Sequence, residues 1–380
     1  MQFDIDRNVL MRGVSRTLGI TEKKTTLPIL NNILLKTEED RLKIVATDRE
    51  ISLITRLGIE IVEPGEITIS AKKVFEMAKE VQEEKIRVVT NERNRVTMTA
   101  GKVVYRLNGM PAEDFPSVIE WEDMPLYEIA ADGLATIIRK SIYASPVTDD
   151  AKNQLRGVYF EVEDSVNGPR LKMTATDGHR LAMAYGQPGE AGDFKLENGV
   201  IIPRKGLTEV RRILEEVEGT VRFGVDDGVF VLKTQDTTLK VSLIDGVYPD
   251  YRRVLPPEKG VVVRLDRQSL LHALKRMNVI SSSSTSGAAI FTFQEGRIVV
   301  NSNDPDLGEA IDEIDANYEG QEMVLAYNVN YLIQALEVMD AEEILLDVRQ
   351  GMKPAVLRGV GNDDYISIIM PLKLEGWGGK

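Results

Sequence analysis

The apolar and polar residues of the chain alternate in two different rhythms, and the order of these rhythms repeats along the sequence. Residues 2–5 alternate in the manner of a strand, and the apolar Val9, Leu10, Val14 and Leu18 then recur at helical spacing. Short runs rich in β-branched residues follow, and polar turns divide them. The opening pattern therefore predicts one strand, one helix and then several antiparallel strands.

The same order of elements is predicted six times along the chain. Helices are predicted around residues 9–18, 71–81, 134–138, 207–214, 270–277 and 328–339. Strands are predicted at residues 2–5, 29–35, 42–46, 51–57, 67–70, 85–89, 95–99, 103–107, 127–129, 157–162, 171–175, 200–203, 239–243, 263–265, 290–293, 298–300, 323–325, 344–348, 355–357 and 365–370, and near Val221 and Phe230.

Parts of the sequence repeat at a long period. Residues 42–48 and 171–177 agree at five of seven positions, and a fainter relative of their Ala-Thr-Asp ending stands at 301–304. A repeat of this length indicates duplication of whole domains. We therefore predict an α+β protein with three tandem domains, each a duplicated strand-helix-antiparallel strands unit. The predicted domains are residues 1–124, 125–259 and 260–380, the last with a short tail at 375–380.

Composition narrows the class of protein. The chain has 380 residues, a net charge of −13 and no cysteine. The acidic balance argues against coating of nucleic acid by the whole surface, but it leaves room for a local basic strip. The lack of cysteine excludes disulfides, cysteine nucleophiles and cysteine-ligated metals. The charged start and the lack of any long apolar run predict a cytoplasmic protein without a signal peptide or membrane span.

Asp177 and His179 are the candidate catalytic pair, because a carboxylate can orient an imidazole that titrates near neutrality. The alternative is that Asp177 and Gly178 form a turn after a strand, with His179 and Arg180 on the lip of a groove. We favour the turn, because Asp48 holds the equivalent place without a histidine and the other groups that a reaction needs are missing nearby.

The sequence predicts no metal site and no cofactor. His272 is interpreted as a partly buried or helix-face residue and not as a ligand, and the two histidines fall in different predicted domains. Residues 303–308 resemble a calcium loop only faintly, because Leu307 takes a ligand position and Pro305 breaks the register. The glycines at 359 and 361 precede Asn362 and not a helix, so they predict a turn and not a nucleotide-binding loop.

Basic residues recur on the predicted helices. Lys72 and Lys79 are seven residues apart, as are Arg204 and Arg211, so each pair lies on one helix face. Such a surface within an acidic protein suits sequence-independent attraction to phosphates. Ordinary solvated helix faces are the alternative explanation, and charge alone favours that alternative.

Seven stretches of the sequence together resemble a known family. They are residues 25–32, 46–48, 115–116, 175–182, 202–205, 248–256 and 370–372, which read TTLPILNN, ATD, FP, ATDGHRLA, IPRK, YPDYRRVLP and MPL. In this order and spacing they are similar to the bacterial DNA polymerase III β subunit, the replication sliding clamp. The similarity runs from Met1 to Leu374.

This resemblance implies a head-to-tail homodimer that closes a six-domain ring around duplex DNA, with helices inside and sheets outside. The ring would slide on weak phosphate contacts without reading bases, and it would have no catalytic activity. It would tether the replicative DNA polymerase, while repair polymerases, ligase and an ATP-driven clamp loader would dock on it through peptide motifs. A bacterial, nucleoid-associated protein of the cytoplasm is implied.

The resemblance also carries over three sets of residues. A groove for partner peptides on the second and third domains is implied at Leu155, Thr176, Gly178, His179, Arg180, Leu181, Pro249, Arg253, Val254, Met352, Pro354, Ile368, Met370, Pro371 and Leu372. DNA contacts are implied at Lys24 and in the loop 148–154 at Asn153 and Gln154, and the helix cations complete the predicted DNA-facing set with Lys72, Lys79, Arg139, Arg204 and Arg211. A dimer contact is implied between Tyr105 and Leu107 on one end of the chain and Val279 and Ile280 on the other, beside the serine run 281–284.

The tail departs from the family pattern, in which chains end soon after the Met-Pro-Leu strand. Residues 375–380 are added here, and two expectations for Trp377 are open, that it folds against the groove or that it stays disordered. Two alternatives to the clamp remain open at this point. One is a peptide-binding adaptor that forms no ring, and the other is an enzyme that uses Asp177 and His179.

Overall fold

The structure is a computed structural model that describes residues 1–21, 26–120, 124–148, 152–187, 189, 192–281 and 287–373. Within these ranges it contains six α-helices and twenty-five β-strands. The mixture of helices and antiparallel sheets confirms the predicted α+β class.

The six helices lie where the hydrophobic pattern predicts them. They are α1 (Arg7–Thr21), α2 (Ala71–Glu80), α3 (Ala131–Ile142), α4 (Arg204–Leu214), α5 (Arg267–Ser281) and α6 (Val329–Glu337). The first turns of α1 and α6 are capped by the last side chain of the preceding strand. Asp6 Oδ1 accepts hydrogen bonds from the amides of Asn8 and Val9 at 2.8 and 3.0 Å. Asn328 Oδ1 accepts one from the Tyr331 amide at 3.2 Å.

The strands repeat in each third of the chain. The first third contains β1 (Gln2–Asp6), β2 (Asn32–Glu38), β3 (Arg41–Thr47), β4 (Ile51–Gly58), β5 (Glu60–Glu63), β6 (Glu66–Ser70), β7 (Lys85–Thr90), β8 (Arg95–Ala100) and β9 (Val103–Asn108). The middle third contains β10 (Tyr127–Ala130), β11 (Gly157–Glu163), β12 (Arg170–Thr176), β13 (Arg180–Tyr185), β14 (Val200–Pro203), β15 (Thr220–Asp226), β16 (Val229–Lys233) and β17 (Thr237–Ser242). The last third contains β18 (Val261–Asp266), β19 (Ala288–Gln294), β20 (Arg297–Asp304), β21 (Gly308–Asp315), β22 (Met323–Asn328), β23 (Glu343–Val348), β24 (Ala355–Gly359) and β25 (Asn362–Ile369).

The predicted strands need four corrections. Pro28–Asn31 forms a 3-10 turn and not the start of a strand, because proline fixes the backbone angle of such a turn and lacks an amide for pairing. The pattern does not predict β5, β13 or β21. Strand β5 is short, and β13 is buried at every position after its first, so neither shows a clear alternation. Strand β21 is acidic and mostly exposed, so it carries too few apolar residues to signal a strand.

Residues Met1–Ala135 and Lys205–Leu243 form one compact unit. Its five-stranded sheet has the order β5-β1-β7-β8-β9, and its eight-stranded sheet has the order β10-β15-β16-β17-β4-β3-β2-β6. Helix α1 packs against α2 and against strands β3 and β4. Leu10 and Val14, which recur at helical spacing, are at most 1% exposed, so the predicted apolar face of α1 is its buried face.

Residues Thr136–Arg204 and Ile244–Lys380 form the second compact unit. Its eight-stranded sheet has the order β14-β11-β12-β13-β25-β24-β23-β18, and its four-stranded sheet has the order β21-β20-β19-β22. Helix α5 packs against α6, β20 and β21, and Leu270 and Leu274 on its inner face are fully buried. We call each third of the chain a repeat. The first helix of the first repeat, α1, and the first helix of the third repeat, α5, are thus held in the same way.

The two eight-stranded sheets are built alike. Each joins strands from two thirds of the chain, through the pair β4–β17 in the first unit and the pair β13–β25 in the second. Leu53 faces Leu239 across the first junction, and Ala182 faces Ser367 across the second. Leu53 and Ala182 both stand five residues after the aspartate of the Ala-Thr-Asp motif. The registers therefore confirm the internal repeat that the sequence predicts.

Candidate peptide-binding groove

The turn between β12 and β13 is shaped by its own side chains. Thr176 Oγ1 accepts a hydrogen bond from the Gly178 amide at 3.1 Å. Asp177 Oδ1 accepts two more, from the amides of His179 and Arg180, each at 3.0 Å. Gly178 has a φ of +89°, which glycine adopts without steric cost. The structure therefore places Asp177 and Gly178 in the predicted turn.

Arg180 is fixed beside this turn. Its Nε donates to Asp177 Oδ2 at 3.0 Å, and its Nη2 donates to the Tyr143 carbonyl at 2.8 Å. The guanidinium also lies 4.4 Å from the centre of the Tyr331 ring, within the range of a cation–π interaction. Only 9% of the side chain is exposed. Arg180 is therefore a preorganised cation and not a mobile surface arginine.

These bonds engage both oxygens of the Asp177 carboxylate. Oδ1 serves the two turn amides and Oδ2 serves Arg180. The His179 side chain is exposed, and the hydrogen bond from His179 to Asp177 comes from the amide and not from the imidazole. A carboxylate occupied in this way does not orient the imidazole for proton transfer. The geometry favours the turn over the acid–base pair.

A cavity of about 160 Å³ opens between this turn and the end of β25. It is lined by Leu155, Thr176, Gly178, His179, Arg180, Leu181, Pro249, Asp250, Tyr251, Val254, Ile368 and Met370. Met370 is tied to the turn, because its amide donates to the His179 carbonyl at 2.8 Å. We call this cavity and its lining residues the groove. Apolar walls with a polar and basic rim are typical of sites that bind linear peptides.

The floor of the groove belongs to a buried hydrophobic cluster. Leu181 and Ile368 are 2% and 1% exposed and are members of this cluster. Tyr159 and Tyr248 stack within it, with ring centres 5.1 Å apart and an angle of 14° between the rings. A floor packed in this way gives the groove a preformed shape.

Buried charges hold one wall of the groove, Tyr251, from behind. Its hydroxyl donates to Glu161, whose second oxygen accepts a bond from Arg252 Nη2 at 3.0 Å. Lys172 is 3% exposed and donates to Glu163 at 2.7 Å. Burial alone lowers the pKa of Lys172, but its bonds to Glu163 and Tyr251 outweigh burial and raise that pKa, so the ammonium stays charged. Burial also raises the pKa of Tyr251, which therefore remains a hydrogen-bond donor at neutral pH.

Ten of the fifteen residues predicted for the groove line the cavity. The other five do not line it, and they are Arg253, Met352, Pro354, Pro371 and Leu372. The Arg253 side chain is 84% exposed and pairs with Asp250 at 2.9 Å. The Leu372 amide donates to the Ala326 carbonyl at 2.8 Å, and Met352 is 50% exposed. The Pro354 carbonyl accepts a bond from Arg349 Nη1 at 3.2 Å, and Pro371 is buried.

Two lining residues, Asp250 and Tyr251, are missing from the predicted set. Both stand inside the YPDYRRVLP motif, between the predicted Pro249 and Arg253. The 3-10 turn Tyr251–Val254 sends Tyr251 into the groove and Arg253 out to solvent. Their position within the motif indicates that they lie near the groove. Which side chains of the motif face inward depends on the 3-10 turn, which the sequence pattern does not show.

The residues predicted to face DNA differ in their availability. Lys72 and Lys79 are exposed on α2, and Asn153 is exposed at the start of the 3-10 turn Asn153–Arg156. Gln154, in the same turn, is half-buried. Lys24 and positions 149–151 of the loop 148–154 lie outside the described residues.

Three predicted DNA contacts are engaged within the chain. Arg139 Nη1 donates to the Val338 carbonyl at 3.0 Å, and its Nη2 donates to Asp340 at 3.1 Å. Arg204 Nη1 donates to the Ile142 carbonyl at 2.9 Å. Arg211 pairs with Glu215, four residues later on the same helix, at 3.2 Å. These cations contribute to the local charge, but their donors are partly occupied.

The residues predicted for a dimer contact lie on an edge strand and at the end of a helix. Tyr105 and Leu107 belong to β9, the last strand of the five-stranded sheet. Val279 and Ile280 lie in the last turn of α5, and Val279 is 71% exposed. Of the serine run, only Ser281 is among the described residues, and the tail with Trp377 lies outside them.

Two further interpretations concern metals and membranes. Among the residues that the structure describes, no cluster of three or more His, Asp or Glu side chains could hold a metal ion. In the faint calcium-like loop, Asp304 Oδ1 instead accepts the amides of Asp306 and Leu307, each at 3.0 Å. His272 is exposed on a face of α5. No helix in the described part of the chain combines the length and the apolar character that crossing a bilayer requires.

Comparison with known proteins gives one consistent result. Models of the N-terminal, central and C-terminal domains of the DNA polymerase III beta subunit match residues 1–119, 128–250 and 252–373. The beta sliding clamp of Pseudomonas putida is 32% identical over 376 residues, which cover 98% of this chain and 100% of that protein. The beta sliding clamp of Escherichia coli K12 is 28% identical over 377 residues, with the same coverage.

A solved structure agrees with this match. The crystal structure of the DNA polymerase III subunit beta from Pseudomonas aeruginosa is 31% identical and has a TM-score of 0.87. The likeness covers 98% of this chain and 100% of that one. The three matched domains agree in number and order with the threefold repeat that the sequence predicts.

Proposed function

The chain belongs to the DNA polymerase III beta subunit family and acts as a DNA sliding clamp that tethers DNA polymerase, and from this premise we propose that two copies close head to tail into a ring around duplex DNA. Enclosure holds the ring on DNA, so its phosphate contacts can stay weak and independent of sequence, and the ring slides. The ring is a processivity factor with no catalytic centre or cofactor of its own. It works in the bacterial cytoplasm, on the nucleoid.

The strand order of the sheets is the main support for the proposed dimeric ring. Each complete eight-stranded sheet pairs the last strand of one repeat, β17 or β25, with an inner strand of the preceding repeat, β4 or β13. In the first repeat the equivalent of β17 and β25 is β9, which lies at the edge of the five-stranded sheet. In the third repeat the equivalent of β4 and β13 is β21, which lies at the edge of the four-stranded sheet. Edge strands are templates for pairing with another chain. We infer that β9 of one copy pairs with β21 of a second copy.

The complete sheets also supply a register for this pairing. Lys240 on β17 faces Ser52 on β4 across their junction. The hairpin registers show that Arg106 takes the place of Lys240 on β9, and that Glu309 takes the place of Ser52 on β21. Arg106 is then opposite Glu309 of the second copy. Opposite charges in directly opposed positions stabilise a strand pair.

The helices meet at the same junction. Gly19 is the twelfth residue after the first of α1, as Val279 is in α5. A Cβ on Gly19 would come within 2.2 Å of Glu209 Oε1, so α1 and α4 are in close contact at this position. By equivalence, Val279 contacts α2 of the second copy, with Ile280 beside it. This contact would bury the exposed Val279 side chain.

The groove is proposed to bind short peptide segments of the proteins that the clamp serves. These are the replicative polymerase, the clamp loader, repair polymerases and ligase. A leucine or phenylalanine anchor fits the apolar cavity, while His179 and Arg180 on the rim meet the polar groups of the peptide. The rigid setting of Arg180 lowers the ordering cost of binding.

The DNA contact is proposed to be electrostatic. Lys72 and Lys79 are exposed on one helix face within a chain of net charge −13. Lys24, Asn153 and Gln154 would add contacts at the face of the ring. Because phosphate attraction carries no sequence information, this arrangement suits a clamp that moves along DNA.

Retention on DNA tests the ring. After loading, the protein should stay on nicked circular DNA and leave the same DNA once it has been cut to a linear form. Equal retention on both forms would contradict enclosure. Sedimentation should show two chains per particle at micromolar concentration, and one chain per particle would favour the adaptor without a ring.

Binding of a labelled partner peptide tests the groove separately. His179→Ala should weaken peptide binding and leave retention on circular DNA unchanged, because His179 lies on the rim of the groove. Unchanged peptide affinity in His179→Ala, in a variant that still sediments as a dimer, would remove this residue from the proposed site.

A further inference from the structure

Each repeat carries a basic residue at the same place in its first helix. Arg16, Lys140 and Arg276 are each nine residues after the first residue of α1, α3 and α5. The equivalence does not depend on sequence similarity, because each helix begins directly after the strand that opens its repeat. The three residues are therefore three copies of one structural position, and their surroundings can be compared.

In the first repeat this cation is buried between carboxylates of the next repeat. Arg16 Nε donates to Glu216 at 2.8 Å, and its Nη1 donates to Asp236 at 3.0 Å. The same Nη1 lies 3.4 Å from Thr55 Oγ1 on β4 of its own repeat. Only 6% of the Arg16 side chain is exposed. Arg16 thus joins its own sheet to the following repeat.

The second repeat has the same arrangement. Lys140 pairs with Asp340 of the third repeat at 2.7 Å, and 6% of its side chain is exposed. Burial opposes ionisation of Asp340, but the hydrogen bonds and charges of Lys140 and of Arg139 together outweigh it and lower the pKa of Asp340. The pKa of Asp236 is likewise lowered against burial, by the charge and hydrogen bond of Arg16 and by hydrogen bonds from Thr237 and Thr234. Both cations therefore stabilise the ionised form of a carboxylate that belongs to the next repeat.

The third cation has only the part of this arrangement that its own repeat provides. Arg276 donates to Asp312 on β21 at 2.7 Å, and 60% of its side chain is exposed. Asp312 stands at the position of Thr55, because both face the same residue of the preceding strand in the aligned repeats. The first and third repeats therefore share the contact between this cation and a side chain on a strand of its own repeat. The carboxylates of a following repeat have no counterpart within the chain after the third repeat.

We infer that Arg276 pairs with Glu83 of a second copy, and that this ion pair closes the junction between the two chains. The inference rests on the head-to-tail dimer proposed above, in which the first repeat of one copy follows the third repeat of the other. It adds a specific charge pair on the helix side of the paired strands β9 and β21.

Glu83 is the carboxylate in the appropriate place. Asp236 lies in the hairpin turn between β16 and β17, and the equivalent turn in the first repeat, between β8 and β9, is Gly101-Lys102. This turn bears a lysine in place of the acid, but Glu83 reaches over it. A Cβ on Gly101 would lie 2.5 Å from Glu83 Oε1. Glu83 follows α2 and is exposed.

Arg276 can hold both acids at once. A guanidinium has five donors in a planar fork, and Arg16 already bonds two carboxylates and two threonine hydroxyls. Asp312 would keep its present bonds to Arg276 while Glu83 of the second copy takes the remaining donors. Lys140, at the same position in the second repeat, pairs with one acidic residue of the following repeat, Asp340.

A charge swap tests the pair. Arg276→Glu and Glu83→Arg should each raise the dimer dissociation constant at least tenfold in sedimentation, and the double variant should return to within about threefold of the original value. Lys275→Glu is the matched control, because Lys275 is next in sequence, is 49% exposed and pairs with Glu337 of its own chain at 2.7 Å. The control should leave the dimer unchanged.

The outcomes separate this inference from the ring itself. If Arg276→Glu weakens the dimer only through Asp312, Glu83→Arg will not restore it, and the assigned partner is wrong. Arg276→Gln, which adds no negative charge beside Asp312, guards against misfolding of the reversal variant and should also weaken the dimer. A strong dimer in all of these variants would overturn the pair and leave the ring intact. An original chain that is monomeric would overturn both.

Discussion

The turn after β3 and the turn after β12 have the same internal hydrogen bonds and different surroundings. Thr47 Oγ1 accepts the Arg49 amide at 3.0 Å, as Thr176 Oγ1 accepts the Gly178 amide at 3.1 Å. Asp48 Oδ1 accepts the amides two and three residues later at 3.0 and 2.7 Å, and Asp177 Oδ1 does the same at 3.0 Å for both. The Thr-Asp pair is therefore a structural device of the repeat.

The surface beside each turn is different. In the first repeat, the 3-10 turn Pro28–Asn31 places Ile29 and Leu30 in a buried cluster that includes Phe115. In the second repeat, the equivalent turn Asn153–Arg156 places Leu155 half-buried on the wall of the groove. The same backbone thus supports a closed core in one repeat and an open cavity in the other.

The second carboxylate oxygen is also used differently. Asp48 Oδ2 pairs with Lys205, which lies far along the chain, whereas Asp177 Oδ2 pairs with Arg180 of its own turn. In the first repeat the aspartate ties two parts of the fold together. In the second it aims a cation at the rim of the groove. The Thr-Asp pair is thus shared by both repeats, and the cation that pairs with it, Lys205 in the first and Arg180 in the second, gives each turn its separate role.

Truncating the equivalent leucines should give the largest contrast. Leu30→Ala should lower the free energy of unfolding by about 3 kcal/mol, because Leu30 is 6% exposed and its loss leaves a cavity in a packed cluster. Leu155→Ala should cost about 1 kcal/mol or less, because the groove wall is already open to solvent. Denaturant unfolding measures both values.

Peptide affinity should show the reverse order for this pair. Leu155→Ala should weaken binding of a partner peptide about tenfold, as the loss of a pocket contact does. Leu30→Ala, measured where it is still folded, should bind the peptide normally. Equal stability losses with equal affinities would show that the two surfaces do not differ in the proposed way.

Removing the two aspartates should give the next contrast. Asp177→Ala should destabilise the fold by about 2 kcal/mol, because it leaves Arg180, 9% exposed, without its carboxylate. Asp48→Ala should cost about 1 kcal/mol, because the Lys205 side chain is 21% exposed and can be hydrated. Only Asp177→Ala should also weaken peptide binding. A matching loss of affinity in Asp48→Ala would contradict the division of roles.

The sequence predicts the repeat well because its signals are local. Leu10, Leu134 and Leu270 stand five residues after the last core residue of the opening strand, and all three are buried as the helical spacing requires. Strand β21 escapes prediction because its acidic side chains leave no apolar alternation. Its identity as a strand depends on pairing with β20, which is a tertiary property.

The groove could be predicted only in part, for a similar reason. The turn residues from Thr176 to Leu181 form one continuous motif, so the sequence indicates them together. The opposite wall comes from Pro249 to Val254 and from β25, far along the chain. Whether Tyr251 or Arg253 faces the cavity depends on the 3-10 turn and on the buried carboxylate of Glu161 that accepts the tyrosine hydroxyl.

Adding a side chain to Gly178 should have a smaller effect. A Cβ there meets nothing within 4 Å, so Gly178→Ala costs only the strain of a φ of +89°, about 1 kcal/mol. Gly228→Ala is the control, because Gly228 has a φ of +74°, equally open space and a place outside the groove. Both should shift the unfolding midpoint alike. A much larger loss for Gly178 would mean that its backbone is held by contacts beyond the turn.

Replacing Arg49 by glycine should have the smallest effect. This substitution tests whether the Arg49 side chain, and not only its backbone, stabilises the turn after β3. Arg49 has a φ of +78° at the position of Gly178. Glycine relieves that strain but gains conformational freedom in the unfolded chain, so the two effects of about 1 kcal/mol nearly cancel. Arg49→Gly should therefore change the free energy of unfolding by less than about 0.5 kcal/mol. A loss above about 1 kcal/mol would show that the Arg49 side chain itself stabilises the turn. The first repeat would then resemble the second in using an arginine beside its Thr-Asp pair, and the contrast between them would reduce to the closed cluster and the open groove.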